Sequence, residues 1–398
     1  MPSILRKNQS SLWTLGIDLG CHAIKAVLLE RTAETIVARY AGYVLTPPNA
    51  LQKGVLVEQR AVAAQIRQMV RQCGYDARAA SIAIPIEHLV VRLIDLPAMD
   101  DEALRTASRF EARKYLPYPV DKAEVVIIPV GQTVDNEGTT RMQALLAAAP
   151  RDVVRSRAET LEMAGLEVAG VEIEPLTLMR AFRAEGGPQN TIWSGQPSVY
   201  VHLGQKSSGM CVVQGTNLRF VHAISWGSSR LTQALAAGIG CSLEEAREIE
   251  ESPTAVISAS GNFLWGEGEN RRETGALIPE MERLGREMQR LLNYYRSLFP
   301  ERSYEGILDR LLVSGGRANI KGLHHFFAEL FQLDVEVRNP FQSFETHFSL
   351  DGFAAINGRN HSFAVAIGLA LGDLQRESRA CQSQAGQSRE FVWRRSAA

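Results

Sequence analysis

A carboxylate delivered to a glycine turn is the first place in this chain where residue types and spacing could do chemistry. The run Gly16-Ile17-Asp18-Leu19-Gly20-Cys21-His22-Ala23-Ile24-Lys25 puts Asp18 at the end of an apolar stretch, with Gly20 just beyond it. If that stretch is a strand, it carries the carboxylate to a sheet edge, and the glycine lets backbone N–H groups converge behind it. Converging amides bind phosphate, and a carboxylate so placed holds Mg²⁺ through water. A plain turn after a strand uses the same residue types, so this segment alone leaves both readings open.

A second candidate is Leu311-Leu312-Val313-Ser314-Gly315-Gly316-Arg317-Ala318-Asn319-Ile320-Lys321-Gly322-Leu323, which reads as a strand, a glycine pair and a helix start. Paired glycines let the backbone pass close to a planar ligand such as adenine. A tight strand-to-helix turn is the other account. The spacing fits neither a P-loop nor a dinucleotide fingerprint, which disfavours those enzyme classes. Glu172 and Glu174 precede a helix and either point at a ligand or serve as solvated or capping carboxylates. His324 and His325 adjoin Lys321 without a partner at metal-ligand spacing. No Ser-His-Asp or Cys-His grouping stands out.

The elements that must hold these groups come in a repeated order. Residues 12–17 read as a strand, Asp18-Leu19-Gly20 as a turn, and 24–29 and 36–44 as two further strands. Far downstream 198–202, Leu203-Gly204, 209–213 and 218–226 repeat the series. Self-similarity at that spacing indicates a duplicated lobe, because solenoid repeats are much shorter. A helix over 58–73 carries Val62, Ile66, Met69, Val70 and Cys73 on one stripe and stops at Gly74, and a strand follows over 80–84. Such alternation marks an α/β layer.

Segment 86–168 reads as an insertion with its own small core. It holds a helix capped by Asp100 and ending before Pro117, strands over 125–130 and 141–149, and a helix over 151–164. The connector Tyr115-Leu116-Pro117-Tyr118-Pro119 is stiffened by its prolines. In the second half 229–237, 243–251 and 279–299 read as helices, and the Gly-, Ser- and Asn-rich 258–275 as a mobile loop. Beyond Gly372 the chain turns polar and is expected to be disordered.

Bulk properties narrow the class. With 398 residues there is room for more than one domain, and a net charge of −1 leaves no nucleic-acid footprint. Five scattered cysteines without a Cys-x-x-Cys pair argue against disulfides or structural zinc and for a reducing compartment. Neither a signal-peptide pattern nor a bilayer-length apolar run is present. The expectation is a cytoplasmic chain that reaches a membrane only through a partner.

Three glycine turns in this order resemble the actin, Hsp70 and sugar-kinase superfamily, whose two duplicated lobes clamp ATP and Mg²⁺. The resemblance implies an actin-like, ribonuclease H-like two-lobed α/β fold with duplicated mixed sheets flanked by helices. Lobe I would span 11–85, completed by 169–190 and 360–375. Lobe II would span 197–355 with a helical part over 228–308, 86–168 would be an inserted α+β subdomain, and 376–398 a disordered tail. It also implies a first phosphate loop with Asp18, Gly20, Cys21, His22 and Lys25, and a second with Gly204, Gln205 and Lys206. Gly315, Gly316 and Arg317 would meet the adenosine, and Asp18 would hold Mg²⁺ through water. The last helix, 361–371 with Gly368, resembles the second connecting segment.

Ile84-Pro85, Val91-Arg92-Leu93-Ile94-Asp95-Leu96-Pro97, Phe110-Glu111-Ala112-Arg113-Lys114-Tyr115-Leu116-Pro117 and Val171-Glu172-Ile173-Glu174-Pro175 narrow the match. They are similar to PilM of type IV pilus systems, a relative of FtsA. That resemblance implies an adaptor whose groove beside the insertion takes the cytoplasmic tail of the membrane protein PilN. Tyr115 and Tyr118 are the contact candidates, since aromatics with a polar tip suit half-buried interfaces, and Phe110 is assigned to the insertion's core. Three departures from the superfamily pattern bear on nucleotide handling. His202 stands where relatives have an acid, Cys21, His22 and Ala23 where the first loop usually carries small hydroxyl residues, and Glu250 where a lysine often approaches the adenosine. Nucleotide binding with little or no hydrolysis follows as the expectation. A small-molecule kinase and the actin-like scaffold of a type II secretion system are the alternatives.

Overall fold

The computed structural model describes residues 12–75, 77–134, 138–184, 197–215, 217–299, 308 and 310–382. The first lobe begins as an antiparallel meander, β1 (Leu12–Leu19), β2 (Ala23–Arg31) and β3 (Ile36–Leu45). A small hairpin, β4 (Leu51–Gln52) and β5 (Val55–Leu56), leads to α1 (Gln59–Gln72) and β6 (Ala79–Ile84). The insertion supplies β7 (Val90–Leu96), α2 (Asp101–Ala112), β8 (Ala123–Val134) and β9 (Thr140–Pro150). The chain then returns through α3 (Arg151–Met163), β10 (Glu167–Ile173) and α4 (Glu174–Ala184).

The second lobe repeats the plan. Its meander is β11 (Ser198–Leu203), β12 (Ser208–Gln214) and β13 (Asn217–Ile224), followed by α5 (Ser229–Ile239) and α6 (Leu243–Glu251). A three-stranded patch, β14 (Val256–Ile257), β15 (Phe263–Trp265) and β16 (Arg272–Thr274), precedes α7 (Ile278–Ser297). Next come β17 (Arg310–Gly315), α8 (Leu323–Phe331) and β18 (Asp334–Val337). Finally β19 (Glu345–Thr346), α9 (Leu350–Ile356) and α10 (Ala364–Gln382) return to the first lobe.

The two large sheets share one strand order. The first runs β10-β6-β1-β2-β3-β19 and the second β18-β17-β11-β12-β13, with the central parallel pairs β1/β6 and β11/β17. The buried faces of both sheets close on α4 and α10, which lie between them: Phe182, Ala366 and Leu369 pack with Val27 from one sheet and Tyr200 and Leu312 from the other. The two helices cross closely at Gly368, where a Cβ would stand 1.9 Å from the Thr177 carbonyl oxygen. Only glycine permits that approach.

Several elements depart from the sequence reading. Residues 258–275 are not an irregular loop, because Phe263 is buried in the second-lobe core and its strand pairs on both sides. The apolar anchor outweighs the turn-rich composition around it. The final helix runs to Gln382, past the expected start of disorder at 376, and the rest of that tail lies outside the described residues. Its extension is tied down by ionic contacts: Arg376 pairs with Glu172 at 2.6 Å and with Asp373, and Asp373 accepts from Ser81 at 2.8 Å. Although α3 falls within 86–168, its Val153, Val154 and Leu161 share the core formed by α1 and the first sheet. The core private to the insertion is Ile94, Leu96, Leu104, Ala112, Ile127 and Met142.

Candidate functional site

Strand register builds the floor of a cleft between the lobes. Asp18, Lys25 and Tyr43 are lateral neighbours across β1, β2 and β3, and all three line it. Lys25 Nζ donates to Asp18 Oδ2 at 2.6 Å, with both side chains largely buried. The turns that follow β1 and β11 are built alike. A Cβ on Gly20 would stand 2.8 Å from the Ala23 carbonyl oxygen, and one on Gly204 would stand 2.4 Å from that of Ser207. Both turns close back on themselves at the same offset, and both face the cleft. This is the shape in which backbone amides can gather around an anion.

The second sheet does not supply a matching acid. His202 sits where the duplication puts the counterpart of Asp18, and its Nδ1 lies 2.9 Å from Ser314 Oγ on β17. Burial, with Lys25 nearby, pulls its pKa down to about 4, so the imidazole is neutral. A further acid at the floor is Glu174, in the first turn of α4, whose Oε2 accepts from the Ile86 amide at 3.3 Å. Burial first, then the carboxylates of Glu87 and Asp18, push Glu174 up to about 8. Glu174 is therefore a protonated acid at neutral pH.

The far wall is cationic. Lys206, Arg247 and Arg317 line it, Arg359 adds a cation from the first-lobe side, and the charges of Arg247 and Arg317 help burial lower the His22 pKa to about 4. Arg317 is held at 3.2 Å by Glu250 and at 3.1 Å by Glu251. Glu250 itself faces inward, accepting from Thr232 Oγ1 at 2.7 Å, and does not line the cleft. The cation contributed by α6 is Arg247, one turn before Glu251, so the expected approach of residue 250 to a ligand is corrected by helical phase.

Asp18, Gly20, Cys21, His22, Lys25, Gly204, Gln205, Lys206, Gly316 and Arg317 all line this one cleft. Gly315 does not. Its φ is +104° and a Cβ would stand 2.3 Å from the Leu203 carbonyl oxygen, so it serves the β11/β17 junction, while its neighbour Gly316 faces open space. Of the two glutamates expected just before that helix, Glu174 opens α4 and enters the cleft, while Glu172 on β10 is fully buried against Arg180 and Arg376. The Cys21 thiol is pushed up by burial and then by Glu87, which leaves it protonated. Sequence reasoning missed Tyr43, Glu87, Arg247, Glu251 and Arg359. The i, i+4 spacing of Arg247 and Glu251 would have marked one helix face, but nothing local says which face meets the cleft.

The insertion contains the other candidates. Tyr115 is exposed, and Tyr118 is half-buried with a hydroxyl that has no hydrogen-bond partner among the described residues. Burial, with Asp152, pushes the Tyr118 pKa up to about 12. Phe110, expected in the core, is 61% exposed with the Lys114 ammonium 5.5 Å from its ring centroid. The inward stripe of α2 is Leu104, Ser108 and Ala112, so helical phase turns Phe110 outward.

As for a metal, no cluster of three or more His, Cys, Asp or Glu side chains is placed to hold one among the described residues. Mg²⁺ carried on phosphates needs only one or two protein carboxylates. Asp18 fits that lesser role. No helix among them is long and apolar enough to cross a membrane.

Two lobes of like topology closing on a glycine-lined cleft define the actin-like ATPase fold. A solved PilM-PilN type IV pilus biogenesis complex has that fold with a TM-score of 0.72, at 22% identity, over 91% of this chain and 98% of the other. The family model "Type IV pilus assembly protein PilM" matches residues 16–374, and the chain belongs to that family. More distant curated relatives are cell division proteins FtsA. That of Streptococcus pneumoniae is 20% identical over 385 residues, covering 89% of this chain and 79% of its own. That of Enterococcus hirae is 20% identical over 358 residues, covering 82% and 78%.

Proposed function

We propose that this chain is a nucleotide-binding adaptor in type IV pilus assembly that holds the cytoplasmic N-terminal tail of a PilN-like inner-membrane protein. The observation that carries the nucleotide half is the charge set of the cleft. Lys206 and Arg247 face it with no ion pair of their own among the described residues, while His202 is neutral and Glu174 protonated. Cations without ion pairs beside two tight glycine turns suit a polyphosphate. ATP would lie with its phosphates near Gly20, Gly204 and Lys206, its adenosine near Gly316 and Arg317, and its Mg²⁺ near Asp18. Bound Mg²⁺ would offset phosphate charge. The missing acid at 202 favours binding over turnover, because a neutral imidazole neither holds Mg²⁺ nor orients water as a carboxylate does.

For the partner half, support comes from membership of the PilM family and from the aromatic edge of the insertion. An unpaired buried hydroxyl costs about 1–3 kcal/mol, and a peptide carbonyl arriving beside Tyr118 would remove that cost. Tyr115 supplies amphipathic contact area next to it. Burial of a few anchors gives binding on the order of micromolar, about −8 kcal/mol. Fluorescence anisotropy with a labelled tail peptide tests this reading: saturable binding lost in Tyr115→Ala is expected, and no binding to the natural chain would overturn it.

A further inference from the structure

Above the cleft floor, a chain of side chains runs without interruption from one lobe to the other. Tyr43 is the last member of the row Asp18, Lys25, Tyr43 on the first sheet. The Arg359 guanidinium lies 5.0 Å from the Tyr43 ring centroid. Arg359 follows α9, which packs on β3, so it belongs to the first-lobe side. From there it reaches across the cleft, with Nη2 3.6 Å from Glu251 Oε2 on α6 of the second lobe. Glu251 holds Arg317 with its other oxygen, and Arg317 is anchored in turn on buried Glu250. One residue from Arg359 a second bridge forms, from Asn319 Nδ2 to the Gly358 carbonyl. Gly358 has a φ of +66°, which turns that carbonyl outward at a conformation few other residues adopt.

We propose that Asn319–Gly358 and Glu251–Arg359 form a clasp that closes the cleft mouth and gates the passage of a nucleoside polyphosphate. The proposal rests on the nucleotide reading above. Three features favour a gate over passive surface pairing. Its members come from opposite lobes, so opening the cleft must break them. Two independent contacts sit on adjacent residues, so they break together. The Arg359 and Glu251 side chains are 43% and 34% exposed, so the pair is weak enough to open on the time scale of ligand exchange. Stacking on Tyr43 keeps the guanidinium in place when the pair is broken, so that it can close again.

A gate present with and without ligand slows entry and exit alike, whereas a ligand contact slows exit alone. Stopped-flow fluorescence with methylanthraniloyl-ATP on the full chain separates the two. Asn319→Ala, which leaves the cationic wall intact, is expected to raise both association and dissociation rates roughly three- to tenfold with Kd within about twofold, and Arg359→Ala is expected to raise both rates at least as much. A rise in dissociation alone, with Kd weakening to match, would make Arg359 a ligand contact and overturn the clasp; unchanged rates would do the same. If the natural chain binds no nucleotide, it is the nucleotide reading that fails. Amide hydrogen exchange in ligand-free protein then decides the clasp by itself: faster exchange over 243–251 and 356–362 in Arg359→Ala supports it, and unchanged exchange overturns it.

Discussion

His202 Nδ1 and Ser314 Oγ meet at 2.9 Å on adjacent parallel strands, at the point where the duplicated lobe would otherwise offer a second carboxylate to the cleft. The contact occupies one ring nitrogen, and burial keeps the ring uncharged. Steady-state phosphate release from ATP is therefore expected below about 0.01 s⁻¹, in the range of unassisted NTPases or slower. His202→Asp is expected to raise it. Multiple turnovers per second by the natural chain, abolished by Asp18→Ala, would contradict the assignment of His202.

Adjacent glycines make a paired test of the second strand-to-helix turn. Gly315→Ala meets the Leu203 backbone at a positive φ and is expected to destabilise the fold by about 2–4 kcal/mol. Gly316→Val points into open cleft space, so it should unfold like the natural chain yet weaken ATP binding in titration calorimetry. Equal stability losses at the two positions would mean that the turn is placed differently.

Loss of the floor ion pair should be felt in both stability and binding. Asp18→Ala leaves the Lys25 ammonium largely buried without its partner, at a cost of about 2 kcal/mol. Calorimetry with ATP and Mg²⁺ is expected to show no saturable heat for this variant. Full affinity in Asp18→Ala would remove Asp18 from the metal and phosphate site.

Glu174 gives a pH signature. The folded chain holds its proton up to about 8, while an unfolded carboxyl releases it near the ordinary value of 4.5. Between those values the native state binds more protons than the unfolded state, so stability falls as pH rises. Glu174→Gln removes that loss, and its advantage over the natural chain should grow by on the order of 3 kcal/mol from pH 5 to pH 8. His22 and His202, whose pKa values are lowered, lose stability in the opposite direction below 6.5, and they do so in both chains. Chemical denaturation at the two pH values measures the difference; a constant offset would show that Glu174 is ionised in the fold.

The insertion's rim can be probed without disturbing its core. Phe110→Ala removes an exposed ring and should change unfolding by less than about 0.5 kcal/mol. Tyr118→Phe deletes only an unpaired hydroxyl and is expected to be neutral or slightly stabilising on its own. In anisotropy titrations with the tail peptide, Tyr118→Phe should nevertheless bind several-fold more weakly. Unaltered affinity in Tyr118→Phe would move the peptide site away from Tyr118.

Local chemistry was enough to read much of this protein. The glycine turns at Gly20 and Gly204, the duplicated meander, the cap at Asp100 and the stop at Gly74 each depend on a few neighbouring residues. Their physics is settled within one turn or one strand, so the linear chain displays it. The ten residues around Asp18, Gly204 and Gly316 that line one cleft were implied by the resemblance to the actin-like superfamily, and only folding brings their three segments together.

What tertiary structure alone decided was phase and long-range pairing. Helical phase sent Glu250 inward and Arg247 outward, and turned Phe110 to solvent; a stripe on a helix does not say what will pack against it. Composition called 258–275 a loop, but β15 is ordered by the burial of Phe263 in the second-lobe core. Polarity called the end of α10 disordered, but buried Glu172 and Asp373 make its arginine an anchor. The clasp from Tyr43 through Arg359 to Glu251 and Arg317 joins residues from four distant segments, so no window of sequence contains it. Contacts made by closing two lobes exist only once both lobes are folded, and their energies appear nowhere in the local pattern.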